Sequence, residues 1–382
     1  MKKICFITAV PGTAHSFLRK HMEALCEEYK VHYVCNEPDE SKILVSHDGY
    51  KCVDIHRSIS LVNDFKAVWD LYKYFKSEKF DVVHSVTPKA GLVTALAGWL
   101  ARVPSRVHIF TGQVWATKTG AMRFLLKSLD KLIAILNTNL LVDGEGQRQF
   151  LIQQGVLKES NSCVLANGSI TGVELDKFIT SDEVRARERN KFGFSETDVV
   201  YAFLGRLNHD KGIGELYAAF DNLASEYDNA KLIFYGTDEE GYDPKADTYH
   251  NIKRGANYFF PGRTSQPFEA LQVADVFVIP TWREGFGMSI IEAQGLGLPV
   301  ITSDVYGVVD ASVEGETGLR CRVGDVNSLY ENMVAYHNNP NMRKEHGLAG
   351  RKRVKELFDN KVVTQAWVEY YNVLVKCYEK LD

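Results

Sequence analysis

The stretch Glu284-Gly285-Phe286-Gly287-Met288-Ser289-Ile290-Ile291-Glu292 follows directly on an apolar, strand-length run at 276–280. Gly285 and Gly287 let the backbone bend sharply and come close to a ligand. A helix starting near Met288 points its free N–H groups and positive dipole end back into that loop, which suits a diphosphate. Glu284 can accept hydrogen bonds from sugar hydroxyls, and Glu292, about one turn into the helix, can reach the hydroxyls of a ribose. The plainer alternative is a strand-to-helix turn carrying two solvated acids.

A second stretch, Gly205-Arg206-Leu207-Asn208-His209-Asp210-Lys211-Gly212, follows the apolar run at 199–204. Arg206 as a bidentate fork and Lys211 as a point charge can grip one diphosphate between them. Either cation alone reads equally well as a solvated loop residue. The two stretches gain weight together, because they lie in the same half of the chain and each leaves a strand. No Asp-x-Asp pair occurs in the sequence, and no His/Cys group has metal-ligand spacing. Arg206, Lys211 and the helix dipole are therefore expected to stand in for a divalent cation, with no metal or other cofactor. Among the dispersed histidines only His84 is a candidate, at the end of a strand run and expected to face a ligand cleft; a core histidine is the competing reading.

These loops need elements to hold them. Strand-length apolar runs at 3–8, 31–35, 81–85, 106–110 and 139–142 alternate with helical patterns at 16–29, 61–77 and 90–101. The second half repeats the plan, with runs at 199–204, 231–235, 276–280 and 299–302 and helical patterns at 214–226, 268–274 and from 288. Such β-α-β repetition implies an α/β protein with parallel sheets covered by helices on both faces. At 382 residues the chain suits two domains rather than one core. The expected division is a first Rossmann-like domain at 1–170, a linker at 171–195, a second at 196–360 and a final helix at 361–382 crossing back to the first. The two sheets are expected to face each other across a cleft, with ligands beyond the carboxyl ends of the strands.

A net charge of −4 gives no reason to expect nucleic acid as a partner. The seven cysteines are scattered and form no C-x-x-C pair, which reads as reduced thiols. No apolar segment has the length of a signal peptide or a spanning helix, so a cytoplasmic protein is expected. Residues 118–136 form a basic amphipathic pattern, with Arg123, Lys127 and Lys131 on one stripe and Met122, Leu125, Leu129, Leu132, Ile133 and Leu136 on another. Such a helix can lie on an anionic membrane; a core-packed helix with a solvated basic edge is the alternative. After the first strand stands Pro11-Gly12-Thr13 rather than G-x-G-x-x-G, so the dinucleotide fingerprint of a dehydrogenase is missing.

Glu284-Gly285-Phe286-Gly287 with Glu292, and Gly205-Arg206-Leu207 with Lys211-Gly212 upstream, resemble the retaining family-4 glycosyltransferases of GT-B fold. The resemblance extends through Val164-Leu165-Ala166-Asn167-Gly168 and Gly315-Glu316-Thr317-Gly318-Leu319. In the first half, Thr87-Pro88-Lys89-Ala90-Gly91 and Thr111-Gly112-Gln113-Val114-Trp115 resemble a branch that builds lipid-linked surface glycans of O-antigen or capsule type. The resemblance implies that Arg206 and Lys211 bind a donor diphosphate, Glu292 its ribose and Glu284 the transferred sugar. It implies that Gly205, Gly285 and the amides of Phe286, Gly287, Met288 and Ser289 line sugar and phosphates, and that Pro261-Gly262-Arg263 borders the nucleobase. Gly12 would add to the donor side; His84, Thr111, Gly112 and Gln113 would serve the acceptor side. Two positions depart from the family pattern: Pro11-Gly12-Thr13-Ala14-His15 stands where many relatives have a glycine pair, and Thr111 where many have a histidine. Thr111 cannot carry the positive charge of such a histidine.

The resulting expectation is a metal-independent glycosyltransferase. It would move a hexose or N-acetylhexosamine, with retention, from a nucleotide-sugar donor, UDP-linked by analogy, to an undecaprenyl-diphosphate-linked acceptor. The competing readings are a nucleotide-sugar epimerase or hydrolase of the same architecture and a non-catalytic sugar-nucleotide binding protein.

Overall fold

The computed structural model describes residues 1–56, 60–242 and 257–379, and these form two compact units. The first comprises Met1–Gly172 together with Asn360–Asp382, and the second Val173–Asp359. The expected linker at 171–195 is not a free connection, since most of it lies within the second unit and folds there as a helix at 182–192.

In the first unit seven strands form one sheet: β1 (Lys3–Ile7), β2 (Lys30–Cys35), β3 (Gly49–Cys52), β4 (Val82–Val86), β5 (Ser105–Phe110), β6 (Asn139–Val142) and β7 (Ser162–Val164). Their order is β3-β2-β1-β4-β5-β6-β7, and every pairing is parallel. Six helices connect them: α1 (Pro11–Phe17), α2 (Arg19–Leu25), α3 (Leu61–Glu78), α4 (Pro88–Ala101), α5 (Gly120–Leu136) and α6 (Glu145–Gln153).

Side chains alternate across β1, as the two-residue period of a strand requires. Ile4 and Phe6 join a core with α2 and the chain's last helix (Asn360–Glu379), while Cys5 and Ile7 face α3 and α4. That last helix enters its core through Val363, Trp367, Tyr371 and Leu374, a stripe at helical spacing. Trp367 is fully buried and stacks on two histidines, His21 at 4.6 Å and His84 at 5.1 Å between ring centroids.

Among the described residues the second unit holds six strands: β8 (Val199–Leu204), β9 (Ala230–Tyr235), β10 (Tyr258–Gly262), β11 (Val276–Ile279), β12 (Val300–Ser303) and β13 (Gly318–Cys321). Their order is β10-β9-β8-β11-β12-β13, again with parallel pairings throughout. The helices are α7 (Asp182–Phe192), α8 (Ile213–Glu226), α9 (Pro267–Ala270), α10 (Met288–Gly295), α11 (Val326–Asn338) and α12 (Pro340–Leu357).

Strand order reverses between β8 and β11, which lie side by side although some seventy residues separate them. The loops leaving those two strands are the two chemistry-bearing stretches. In an open parallel sheet a ligand crevice forms where consecutive connections run to opposite faces, so the topology places both loops at that point.

The described cysteines are all free, and the Cys377 side chain lies outside the described residues. Among the described residues no helix is long and apolar enough to cross a membrane.

Candidate active site

The loop after β8 is folded onto the loop after β11 by one glycine. Gly212 has φ +70°, and a Cβ there would stand 2.0 Å from the Pro280 carbonyl oxygen, so no other residue fits without shifting backbone. Asp210 completes the seam. Its carbonyl accepts from the Trp282 N–H and the Thr281 hydroxyl, each at 2.8 Å, and its carboxylate takes two bonds from the Arg283 guanidinium at 2.8 and 2.7 Å. This seam brings the Lys211 ammonium into a direct ion pair with Glu284. Both side chains are mostly buried, and the surrounding bonds hold the pair in place. Arg206, on the outer side of the same loop, is exposed and paired to Glu239 at 3.0 Å.

α10 is preceded by Gly287 as its N-cap, which has φ +91° and offers no side-chain cap. The Ile290 N–H is taken by the Gly287 carbonyl at 2.9 Å, which tightens the first turn. Phe286 turns its ring into the core, 5.2 Å from Phe358, and so anchors the loop while Gly285 and Gly287 shape its backbone. Met288 and Ser289 follow, partly exposed, in the first turn. Gly205, at the other loop's start, packs closely on Gly236.

Glu292 stands on α10, partly exposed at its surface, with no side-chain partner among the described residues. Desolvation by burial pushes its carboxyl from the ordinary 4.5 up to about 7. The native state therefore holds a proton that the unfolded chain releases between about pH 4.5 and 7, and the second unit loses stability as pH rises through that window. An ionised Glu292 accepts hydrogen bonds better than a neutral one. Nucleotide affinity is thus expected to rise from about pH 6 to 8 in the wild type. In Glu292→Gln both slopes flatten; unfolding curves and nucleotide titrations across that range read them.

Arg263 lines a cavity of about 370 Å³ with Pro261, Gly262, Tyr235, Glu188 and Lys191. The buried Tyr235 hydroxyl has no hydrogen-bond partner among the described residues.

The acceptor-side candidates belong to the first unit, and so does the donor-side candidate Gly12. Gly12 occupies the second position of α1, and nothing lies within 4 Å of where its Cβ would be, so its absence of a side chain is not forced by packing. Thr111, Gly112 and Gln113 leave the carboxyl end of β5. Gln113 is buried, its carbonyl accepts from Gln147 at 3.2 Å, and its amide nitrogen is unpartnered.

His84 is a correction. It sits within β4, fully buried, with Nδ1 2.6 Å from the Tyr371 hydroxyl and its ring against Phe6 and Trp367. Burial pushes its pKa well down, so it is a neutral core group and reaches no ligand surface. The expectation failed because strand alternation gives two faces and does not say that the last helix covers one.

Sequence reasoning also missed Glu239 and Asn208, which contact each other beside Arg206. The signal for Glu239 was the acidic run Asp238-Glu239-Glu240, separated by two residues from the end of β9.

The basic stripe of α5 differs from its expected setting. Arg123 donates to the Trp115 and Ala116 carbonyls at 3.1 and 2.9 Å, and Lys127 to Gln154 at 3.0 Å, both over the Trp115 ring. These cations are turned inward, while Met122, Phe124, Leu125 and Ile135 are exposed.

Two family models match this chain: residues 12–168 fit the glycosyl transferase 4-like domain and residues 184–353 the glycosyl transferases group 1. The capsular polysaccharide biosynthesis glycosyltransferase CapM of Staphylococcus aureus is 30% identical over 360 residues, 94% of this chain and 92% of the relative. The chain belongs to the family-4 glycosyltransferases. The UDP-Gal:alpha-D-GlcNAc-diphosphoundecaprenol alpha-1,3-galactosyltransferase of Escherichia coli is 26% identical over 81% of this chain and 80% of its own. Among solved structures, Anabaena Alr3699/HepE in complex with UDP matches with a TM-score of 0.80 at 16% identity, covering 98% of this chain and all of that one. That likeness shows the GT-B fold of this glycosyltransferase.

Proposed function

We propose that this glycosyltransferase moves a hexosyl or N-acetylhexosaminyl group from a UDP-sugar to a saccharide carried on undecaprenyl diphosphate, with retention, during surface polysaccharide synthesis in the cytoplasm. The observation that carries the reading is the joining, through the Lys211–Glu284 pair, of the loop that bears Arg206 and Lys211 to the loop that leads into α10, at the β8–β11 reversal. In the transfer the sugar C1–O bond to the diphosphate breaks and a bond from C1 to an acceptor oxygen forms. Negative charge grows on the departing diphosphate, which Arg206, Lys211 and the amides of Phe286 to Ser289 are disposed to stabilise. The acceptor proton goes to the departing phosphate oxygen, so the reaction calls for no protein base. With two cations and a helix terminus on the diphosphate, the reading assigns no role to a divalent metal. The E. coli relative, whose name specifies a UDP-sugar, a lipid diphosphate and an alpha linkage, supports the donor, acceptor and retention.

The test is a panel of nucleotide sugars with a synthetic polyprenyl-diphosphate monosaccharide in EDTA, with the product linkage read by NMR. An alpha-linked disaccharide on the lipid is the expected product. Free sugar or an epimerised donor as the main product sinks the reading, and a requirement for added Mg²⁺ sinks its metal-independent part.

The same reading places the enzyme at an anionic membrane surface, and one observation favours this. The outer stripe of α3 exposes Leu61, Val62, Phe65 and Trp69 beside Lys66 and Lys73, and both α3 and α5 pack on α4. Apolar side chains flanked by lysines suit an anionic leaflet. Phe65→Glu with Trp69→Glu should abolish flotation with anionic vesicles. Lys127→Glu should matter less, because that side chain is tethered to Gln154. Undiminished flotation of the α3 variant removes α3 from the reading, and a wild type that does not float removes the membrane.

A further inference from the structure

The exposed cation of the donor site is already answered by an acid of the same unit. Beyond β9 the segment Gly236-Thr237-Asp238-Glu239-Glu240-Gly241 turns back over the loop that follows β8. The approach is close enough to require glycine, since a Cβ at Gly236 would stand 1.7 Å from the Gly205 carbonyl oxygen. The two loops are joined through their backbones, with the Leu207 N–H donating to Thr237 at 2.9 Å and the Glu239 N–H to Leu207 at 3.0 Å. That joint fixes Glu239 beside Arg206. Arg206 Nη1 donates to both of its carboxylate oxygens, at 3.2 and 3.0 Å, and the buried Asn208 donates its Nδ2 to Oε2 at 2.8 Å. The His209 N–H donates to the neighbouring Glu240 at 2.8 Å. A carboxylate that collects guanidinium and amide donors satisfies the same groups a phosphate oxygen would.

We propose that Glu239 is an internal counter-anion for Arg206, holding the place of a donor phosphate oxygen until the nucleotide arrives. This rests on the donor-site reading above and assigns Glu239 as a positioning residue that acts through Arg206. Binding of a nucleoside diphosphate sugar displaces the carboxylate, which stands 40% exposed and can turn to water. After transfer, Glu239 competes with the nucleoside diphosphate product for the same guanidinium and hastens its release. Because Arg206 and Glu239 are both well exposed, the effect is modest and salt-sensitive.

The experiment titrates UDP, with GDP, ADP, CDP and uridine alongside, into wild type, Glu239→Gln, Arg206→Ala and the double variant by calorimetry in EDTA. Glutamine keeps one oxygen for Asn208 and Arg206, turns the other acceptor into an NH2 donor and removes the charge. Glu239→Gln is expected to bind UDP about fivefold tighter at low ionic strength, with the difference shrinking in high salt. Uridine affinity should not change. In turnover, donor KM should fall and kcat should fall with it, as product leaves more slowly. The double variant should bind no tighter than Arg206→Ala alone, because the effect runs through that guanidinium. UDP binding that Glu239→Gln leaves unchanged or weakens overturns this proposal while the donor site stands. If no nucleoside diphosphate binds any of the proteins, the donor-site reading falls and the proposal falls with it.

Discussion

Arg206→Ala is expected to lower kcat by about 10²- to 10³-fold, the range for losing one donor aimed at charge developing in a transition state. In the unliganded protein Arg206 is exposed and makes a surface ion pair with Glu239, an arrangement worth little to folding. The melting temperature of Arg206→Ala should therefore stay near that of wild type while turnover collapses. Lys211→Ala should lose as much activity and also some stability, because it strands the mostly buried Glu284 carboxylate. Arg322→Ala, which removes an exposed ion pair with Asp325, is the control expected to change neither.

Thermal unfolding in EDTA separates binding from chemistry. A nucleoside diphosphate at about 100 times its dissociation constant should stabilise wild type by about 2.7 kcal/mol and leave Arg206→Ala unmoved. Full activity in Arg206→Ala would remove the carrying observation of the proposed function.

Trp367→Ala should destabilise the first unit by about 3–5 kcal/mol, the range for emptying a large buried aromatic site. The ring stacks on His21 and His84 and packs near Phe6 and Tyr371, so its loss opens a cavity that several rigid neighbours border. The readouts are the denaturant midpoint of that unit and hydrogen-exchange protection of residues 360–376, which should fall together. A small shift with protection intact would mean that the helix docks by other contacts.

The same cluster sets a pH direction. Burial lowers the His21 pKa to about 4, against 6.5 in an unfolded chain, and lowers that of His84 in the same sense. The unfolded state takes up protons first as pH falls, so this stabilisation is complete above about 6.5 and is lost as pH drops toward 4. Acid should therefore loosen the last helix by the same route as Trp367→Ala.

Much of the donor side was legible because its signals are local. The runs that became β8 and β11 are continuous apolar segments, as central parallel strands buried on both faces must be. Glycines and charged residues punctuate their ends. The start of α10 at Met288 follows from Gly287 in the same way. The strands that the apolar runs did not show were β3, β7, β10 and β13, and all four lie at sheet edges. An edge strand is covered on fewer sides and carries no such apolar run. β10 even contains Pro261 and Gly262, which read as a turn.

The direction of a side chain was less legible than its element. Periodicity put Arg123 and Lys127 on one stripe of a helix without saying that Trp115 and Gln154 would draw that stripe inward. It put His84 on a strand without saying which layer would cover it.

The sequence by itself determined the element types, the two loops and the residue kinds in them, because apolar runs, glycines and helix starts act within a few residues. The tertiary structure alone decided that β8 lies beside β11, that Lys211 meets Glu284 and Glu239 meets Arg206, and that Trp367 closes the first core. Those outcomes depend on pairings between segments far apart in the chain, which are fixed by joint burial of surfaces that no local pattern contains.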